Sequence, residues 1–141
     1  MSGFLLDTSV IVELINPRPA PALLRWLNGI PEELLFLSVL TLGDIRRGTA
    51  NLGWAARAVR VQAWTNRDLK TRFAGRILPI DEEVAACWGV LAARSMEDGA
   101  RLPVVDGLLA ATALDHNLTL VTRNAGDVAR TGVLLFSPWE V

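Results

Sequence analysis

Leu102-Pro-Val-Val-Asp106-Gly-Leu-Leu-Ala-Ala-Thr-Ala-Leu-Asp115-His-Asn-Leu118 is almost wholly apolar between its two acids. Leu108, Leu109, Thr112 and Ala113 recur at helical spacing, with Ala110 and Ala111 between them and Pro103 near the start, which predicts a buried helix. Asp106 falls in its first turn. A carboxylate at the entrance to an apolar helix either complements the helix dipole or has a partner, because burying an unpaired charge is costly. The rest of the chain decides between these readings.

Outward from this helix, strand and helix signals alternate. Gly3 to Leu6 reads as a short buried strand ending on Asp7, with Thr8 and Ser9 opening a helix that carries Val10, Ile11, Val12 and Leu14. Asn16 to Pro21 is a loop, and Pro21 to Leu27 a helix. Leu34 to Val39 is a second strand, leading to Thr41-Leu-Gly-Asp44-Ile-Arg-Arg-Gly48, where Thr41 and Asp44 match a capping box and Asp44 can pair with Arg47. Gly53 to Arg72 predicts one long amphipathic helix with Trp54 and Trp64 on its apolar face, the latter pair a candidate contact surface. Ile77 to Ile80 is a brief strand; Asp81 caps a helix that Asp98-Gly99 ends. Downstream of the central helix come a strand over Leu118 to Thr122, the segment Thr122-Arg-Asn124-Ala-Gly-Asp127, and a last strand over Gly132 to Phe136. Such alternation predicts an α/β sandwich with a mainly parallel central sheet flanked by helices.

The 141 residues, 51% of them hydrophobic, suffice for a single domain over residues 1–141 with a real core. One cysteine, Cys87, excludes an internal disulfide framework or a cysteine zinc site and reads as a small core residue. No stretch near Met1 resembles a signal peptide and no run reaches membrane-spanning length, so a cytoplasmic protein without membrane association is expected. The net charge of -1 does not advertise nucleic-acid binding, and nearly all the cations are arginines, with Lys70 the sole lysine.

The acids form a pattern on this frame. Asp7 and Asp127 lie just past buried strands, Asp44 in the first turn after one, and Asp106 in the first turn of the central helix. Polar groups at the carboxyl ends of parallel strands line the crevice where ligands bind. Four carboxylates in one pocket repel one another unless a cation neutralises them, and oxygen-only donors suit Mg²⁺ or Mn²⁺. Such sites activate water and stabilise the charge of phosphodiester cleavage. Asp115, roughly 13 Å along the helix from Asp106 by helical rise, cannot join them. Glu13, Glu32, Glu33, Asp81, Glu82, Glu83, Glu97 and Asp98 read as surface residues, and His116 as a structural group at a helix end.

The residues Leu6-Asp7-Thr8-Ser9-Val10, Ser38 to Gly48, Val105-Asp106-Gly-Leu-Leu-Ala-Ala, Thr122 to Asp127 and the closing Pro138-Trp139-Glu140 resemble, in order, the motifs of PIN-domain ribonucleases. Among these the chain is most similar to VapC toxins and FitB-like proteins of bacterial toxin–antitoxin modules. The resemblance covers essentially the whole chain. It implies a metal-dependent endoribonuclease whose acidic pocket is Asp7, Asp44, Asp106 and Asp127. Asp7 and Asp106 would bind the Mg²⁺ or Mn²⁺ directly. It also implies supporting roles for Thr8, Thr122 and Asn124, a homodimeric assembly and an antitoxin partner. Arg46, Arg47 and Arg123 are candidates to meet RNA phosphate.

Two positions depart from the family pattern: Asp44 stands where the family has Glu, and Val128 where it has Phe. The first motivates an alternative, a PIN-like protein weakened or inactive in catalysis that dimerises and binds antitoxin or RNA. A phosphoacceptor receiver domain also places acids at strand ends, but needs a lysine near the last strand, and Lys70 lies in the middle of the chain.

Overall fold

Five short strands build one parallel sheet: β1 (Phe4–Leu6), β2 (Leu35–Ser38), β3 (Ile77–Leu78), β4 (Thr119–Val121) and β5 (Leu135–Phe136). These elements come from a computed structural model that describes residues 3–52, 55–123 and 125–140. The strand order is β3-β2-β1-β4-β5. The chain thus winds outward through β2 and β3, then returns to the other side of β1 for β4 and β5. In open α/β sheets the ligand crevice lies at such a reversal, outside the carboxyl ends of the strands.

Around the sheet run the helices α1 (Thr8–Leu14), α2 (Pro21–Asn28), α3 (Val39–Leu52), α4 (Ala56–Trp64), α5 (Lys70–Arg72), α6 (Glu82–Glu97) and α7 (Val104–Asp115). Successive strand residues face opposite sides, and the register pairs like with like: Leu5 with Leu120, Leu6 with Val121. Leu5 and Leu120 pack in one core with Val84 and Leu91 of α6 and the apolar face of α7. Leu6, Val121, Leu35 and Leu37 pack in a second core with Val10, Leu23, Ile45, Leu69 and Phe73. Hence the architecture is three-layered, as the alternation predicts. Cys87 is half-buried at the edge of the first core. Gly107 lets α7 approach α6: a Cβ there would stand 3.0 Å from the Trp88 ring.

The local chemistry agrees with the sequence at several ends. Asp81 caps α6 by accepting the Val84 N–H at 3.0 Å. Gly99 adopts φ +65° past the Asp98 cap, as a glycine after a helix should.

Elsewhere the expectation needs correcting. The helix after β2 starts at Val39 rather than at Thr41, because Ser38 Oγ accepts the Leu40 N–H at 3.0 Å and serves as the cap. Thr41 is therefore inside the helix and fully buried, and Asp44 sits in its second turn. The long helix begins at Ala56 and passes through a π-helical segment, Thr65–Leu69, before its last turn. There the buried Thr65 hydroxyl donates to the Val61 carbonyl at 2.8 Å. Trp64 packs against the second core; its proposed companion Trp54 lies outside the described residues. Glu13 is not a surface acid: its side chain is 10% exposed and accepts the Ala20 N–H at 3.2 Å. Among the described residues no helix is long and apolar enough to cross a membrane.

Candidate active site

Asp7 is held at the carboxyl end of β1 by its neighbours on two strands and a helix. Its backbone N–H donates to the Val121 carbonyl at 2.9 Å, extending the β1–β4 ladder by one bond. Its carboxylate caps α1, accepting the Thr8 N–H at 2.7 Å on Oδ1. The other oxygen accepts the Ser9 hydroxyl at 3.0 Å and the Thr122 hydroxyl at 2.7 Å. Ser9 Oγ in turn accepts the Arg123 N–H at 3.2 Å. Both oxygens of Asp7 are thus oriented by groups whose positions the sheet dictates, the arrangement that makes a carboxylate a defined ligand.

Thr8 faces the other way. Its hydroxyl donates to Asp44 Oδ2 at 2.9 Å and lies 3.4 Å from the buried Thr41 hydroxyl. Arg47 completes the grip on Asp44 with a 3.3 Å contact to Oδ1. Asp106 stands in the first turn of α7. Burial is the main cause that pushes its carboxyl above the usual aspartate range, followed by the charges of Asp7, Asp127 and Asp44; Arg101 pulls it back. The four acids therefore share one electrostatic neighbourhood at the strand-order reversal. Asp127 is an exposed residue on the turn that follows β4.

Of the remaining candidates, Asn124 lies outside the described residues. Arg46 is exposed. Arg123 contacts Glu13 at 3.4 Å and lies 5.3 Å over the Trp139 ring. Ser9 was missed: read as a helix cap, it is a ligand-orienting hydroxyl, which the Asp-Thr-Ser run could have signalled.

Do these residues fit a divalent ion? The donor chemistry does, since four hard oxygens with no His or Cys suit Mg²⁺ or Mn²⁺. Among the described residues no three acids, histidines or cysteines stand close enough to close a protein cage around an ion. An open cluster of this kind fits a cation that keeps several waters and takes one or two carboxylates directly. Thr122→Val removes the 2.7 Å bond to Asp7, and a fall in metal affinity of about 10- to 100-fold is expected, measurable by calorimetric titration with Mn²⁺.

Comparison with known proteins agrees with this geometry. The PIN domain family matches residues 4–133. Toxin FitB of Neisseria gonorrhoeae is 36% identical over 136 residues, covering 96% of this chain and 98% of that protein. VapC ribonuclease Y4jK of Sinorhizobium fredii is 32% identical, covering 96% of both. The crystal structure of FitAcB from Neisseria gonorrhoeae superposes with a TM-score of 0.89 at 35% identity, over 98% of this chain and 99% of that one. With a parallel sheet, four acids gathered at its strand-order reversal and a family match over nearly its whole length, this chain belongs to the PIN-domain family.

Proposed function

We propose that the chain is the ribonuclease toxin of a toxin–antitoxin module, an endonuclease that hydrolyses RNA phosphodiester bonds with Mg²⁺ or Mn²⁺. The observation that carries this reading is the convergence of Asp7, Asp44, Asp106 and Asp127, whose mutual repulsion at Asp106 calls for a cation. A toxin and a ribonuclease among relatives that match end to end support it. Asp7 and Asp106 would hold the ion. When bound, it would lower the pKa of a coordinated water and neutralise charge on the phosphate undergoing in-line displacement. Thr8, Ser9 and Thr122 fix the carboxylate orientations, so little reorganisation remains at the moment of reaction. Asp44, shorter than the family's Glu, still reaches the Thr8 hydroxyl at 2.9 Å, which favours a working site over a binding module without turnover. The reading places the protein in the cytoplasm as a homodimer restrained by an antitoxin.

The test is incubation of the purified, antitoxin-free chain with a mixed tRNA and structured-RNA pool in Mg²⁺ or Mn²⁺. Cleavage that a chelator stops and fresh metal restores is the expected result. An intact pool in both metals, or cleavage indifferent to the chelator, contradicts the proposal.

A further inference from the structure

Asp127 is a wall common to the acid site and to a second feature. With Arg94, Arg101 and Arg130 it lines a cleft of about 40 Å³. With Arg101 and Arg130 again it lines an adjoining open recess of about 270 Å³. The three arginines come from three separate segments: the last turns of α6, the loop into α7, and the 3₁₀ turn Ala129–Thr131. Both loops are pinned. Ser95 Oγ donates to the Ala100 carbonyl at 2.5 Å, and Thr131 Oγ1 to the Val128 carbonyl at 2.7 Å.

The charges on this shelf are free for a ligand. Among the described residues neither Arg94, Arg101 nor Arg130 has a carboxylate within ion-pair distance, although Asp98 lines the same cleft. Arg47 and Arg123, by contrast, are engaged with Asp44 and Glu13. Free guanidinium forks suit bidentate contact with phosphate. The enclosed cleft has room for about one or two waters and none for a nucleobase, so what meets it is backbone.

We infer that Arg101 and Arg130, with Arg94, bind the RNA backbone phosphate next to the scissile one, on the Asp127 side of the acid site. The inference rests on the nuclease reading. It assigns the strand a path: one phosphate at the carboxylates, its neighbour on the arginine shelf.

The full chain carrying Asp106→Asn, to prevent cleavage, is titrated with a fluorescent single-stranded RNA of mixed sequence in Mg²⁺ over a salt series. Arg101→Ala with Arg130→Ala is expected to weaken binding about tenfold and to reduce the slope of log K against log salt by about 1.4, since each lost phosphate contact on a single strand accounts for about 0.7. Arg18→Ala with Arg25→Ala, which removes the same charge elsewhere, is expected to leave both unchanged. Equal losses in the two pairs, or none in the first, overturn the assignment. So does loss of antitoxin affinity with RNA binding intact, which would give the shelf to a protein partner. Absence of RNA binding before any arginine is changed overturns the nuclease reading itself, a result distinct from failure of the shelf. All four arginines are exposed, so the variants are expected to fold.

Discussion

Asp106→Asn is expected to lower metal-dependent RNA cleavage by at least about a hundredfold, because a direct cation ligand matters more than the orienting groups around it, whose loss alone costs about 10- to 100-fold. The same substitution is expected to stabilise the metal-free protein. Burial and three neighbouring acids raise the Asp106 carboxyl in the folded chain. Below the unfolded carboxylate range both states carry the proton and the group is neutral in its effect. As pH rises through that range, from about pH 4 upward, the unfolded chain releases its proton first, and the folded state loses stability until Asp106 has ionised as well. Asparagine cannot ionise, so its melting temperature in chelator falls less between acid and neutral pH. Thermal melts of both forms, with and without Mn²⁺, check this: metal restores the aspartate form more than the asparagine form. Unchanged cleavage, or an asparagine form that melts lower at neutral pH in chelator, would contradict the role assigned to Asp106.

A second large effect is expected far from the acids. Phe73 is fully buried in the second core, with the guanidinium groups of Arg72 and Arg76 5.5 and 5.1 Å from its ring centre. Arg76 also donates to the Leu35 carbonyl at 2.6 Å, and Arg72 bonds Glu32 at 2.6 Å. Phe73 therefore anchors the end of the α4–α5 helix to the start of β2. Phe73→Ala is expected to cost about 3 to 5 kcal/mol, a large part of the roughly 5 to 15 kcal/mol that keeps such domains folded. The check is urea unfolding, with a lower midpoint at an unchanged slope. Phe73→Leu, which fills most of the volume, should cost less than about 1.5 kcal/mol. Similar midpoints for both variants would show that the ring is not what holds this corner.

Most of the layering was legible because short apolar runs ending in Asp, Thr or Ser carry their own boundary signals. Asp7 after Leu6 and Asp106 after Pro103 could be placed near strand and helix ends from the chain alone. What escaped depended on the third dimension. Ser38, buried at the end of β2, captures the cap that Thr41 was expected to supply. Glu13 looked like a polar residue of a short helix, yet the loop up to Ala20 and Arg123 close over it. The arginine shelf had no local signature at all, since Arg94, Arg101 and Arg130 meet only through the packing of α6, the loop into α7 and the turn after β4. Composition likewise could not separate arginines engaged with carboxylates from those left open.

The bond from Thr122 to Asp7 spans 115 positions of sequence, and β1 takes one neighbour, β4, from the same distant region. During synthesis the chain emerges with β1 first, at about 5 to 20 residues per second, and one flank of β1 stays unpaired until Thr119 to Val121 arrive. Until then Asp7 lacks both its ladder bond and the hydroxyl that orients it. On the proposed activity, a nascent or truncated chain ending before this point would have two of its acids and no working centre. The strand order therefore delays the appearance of a destructive enzyme until nearly all of it has been made, and leaves an interval in which an exposed β1 edge is open to the wrong partner.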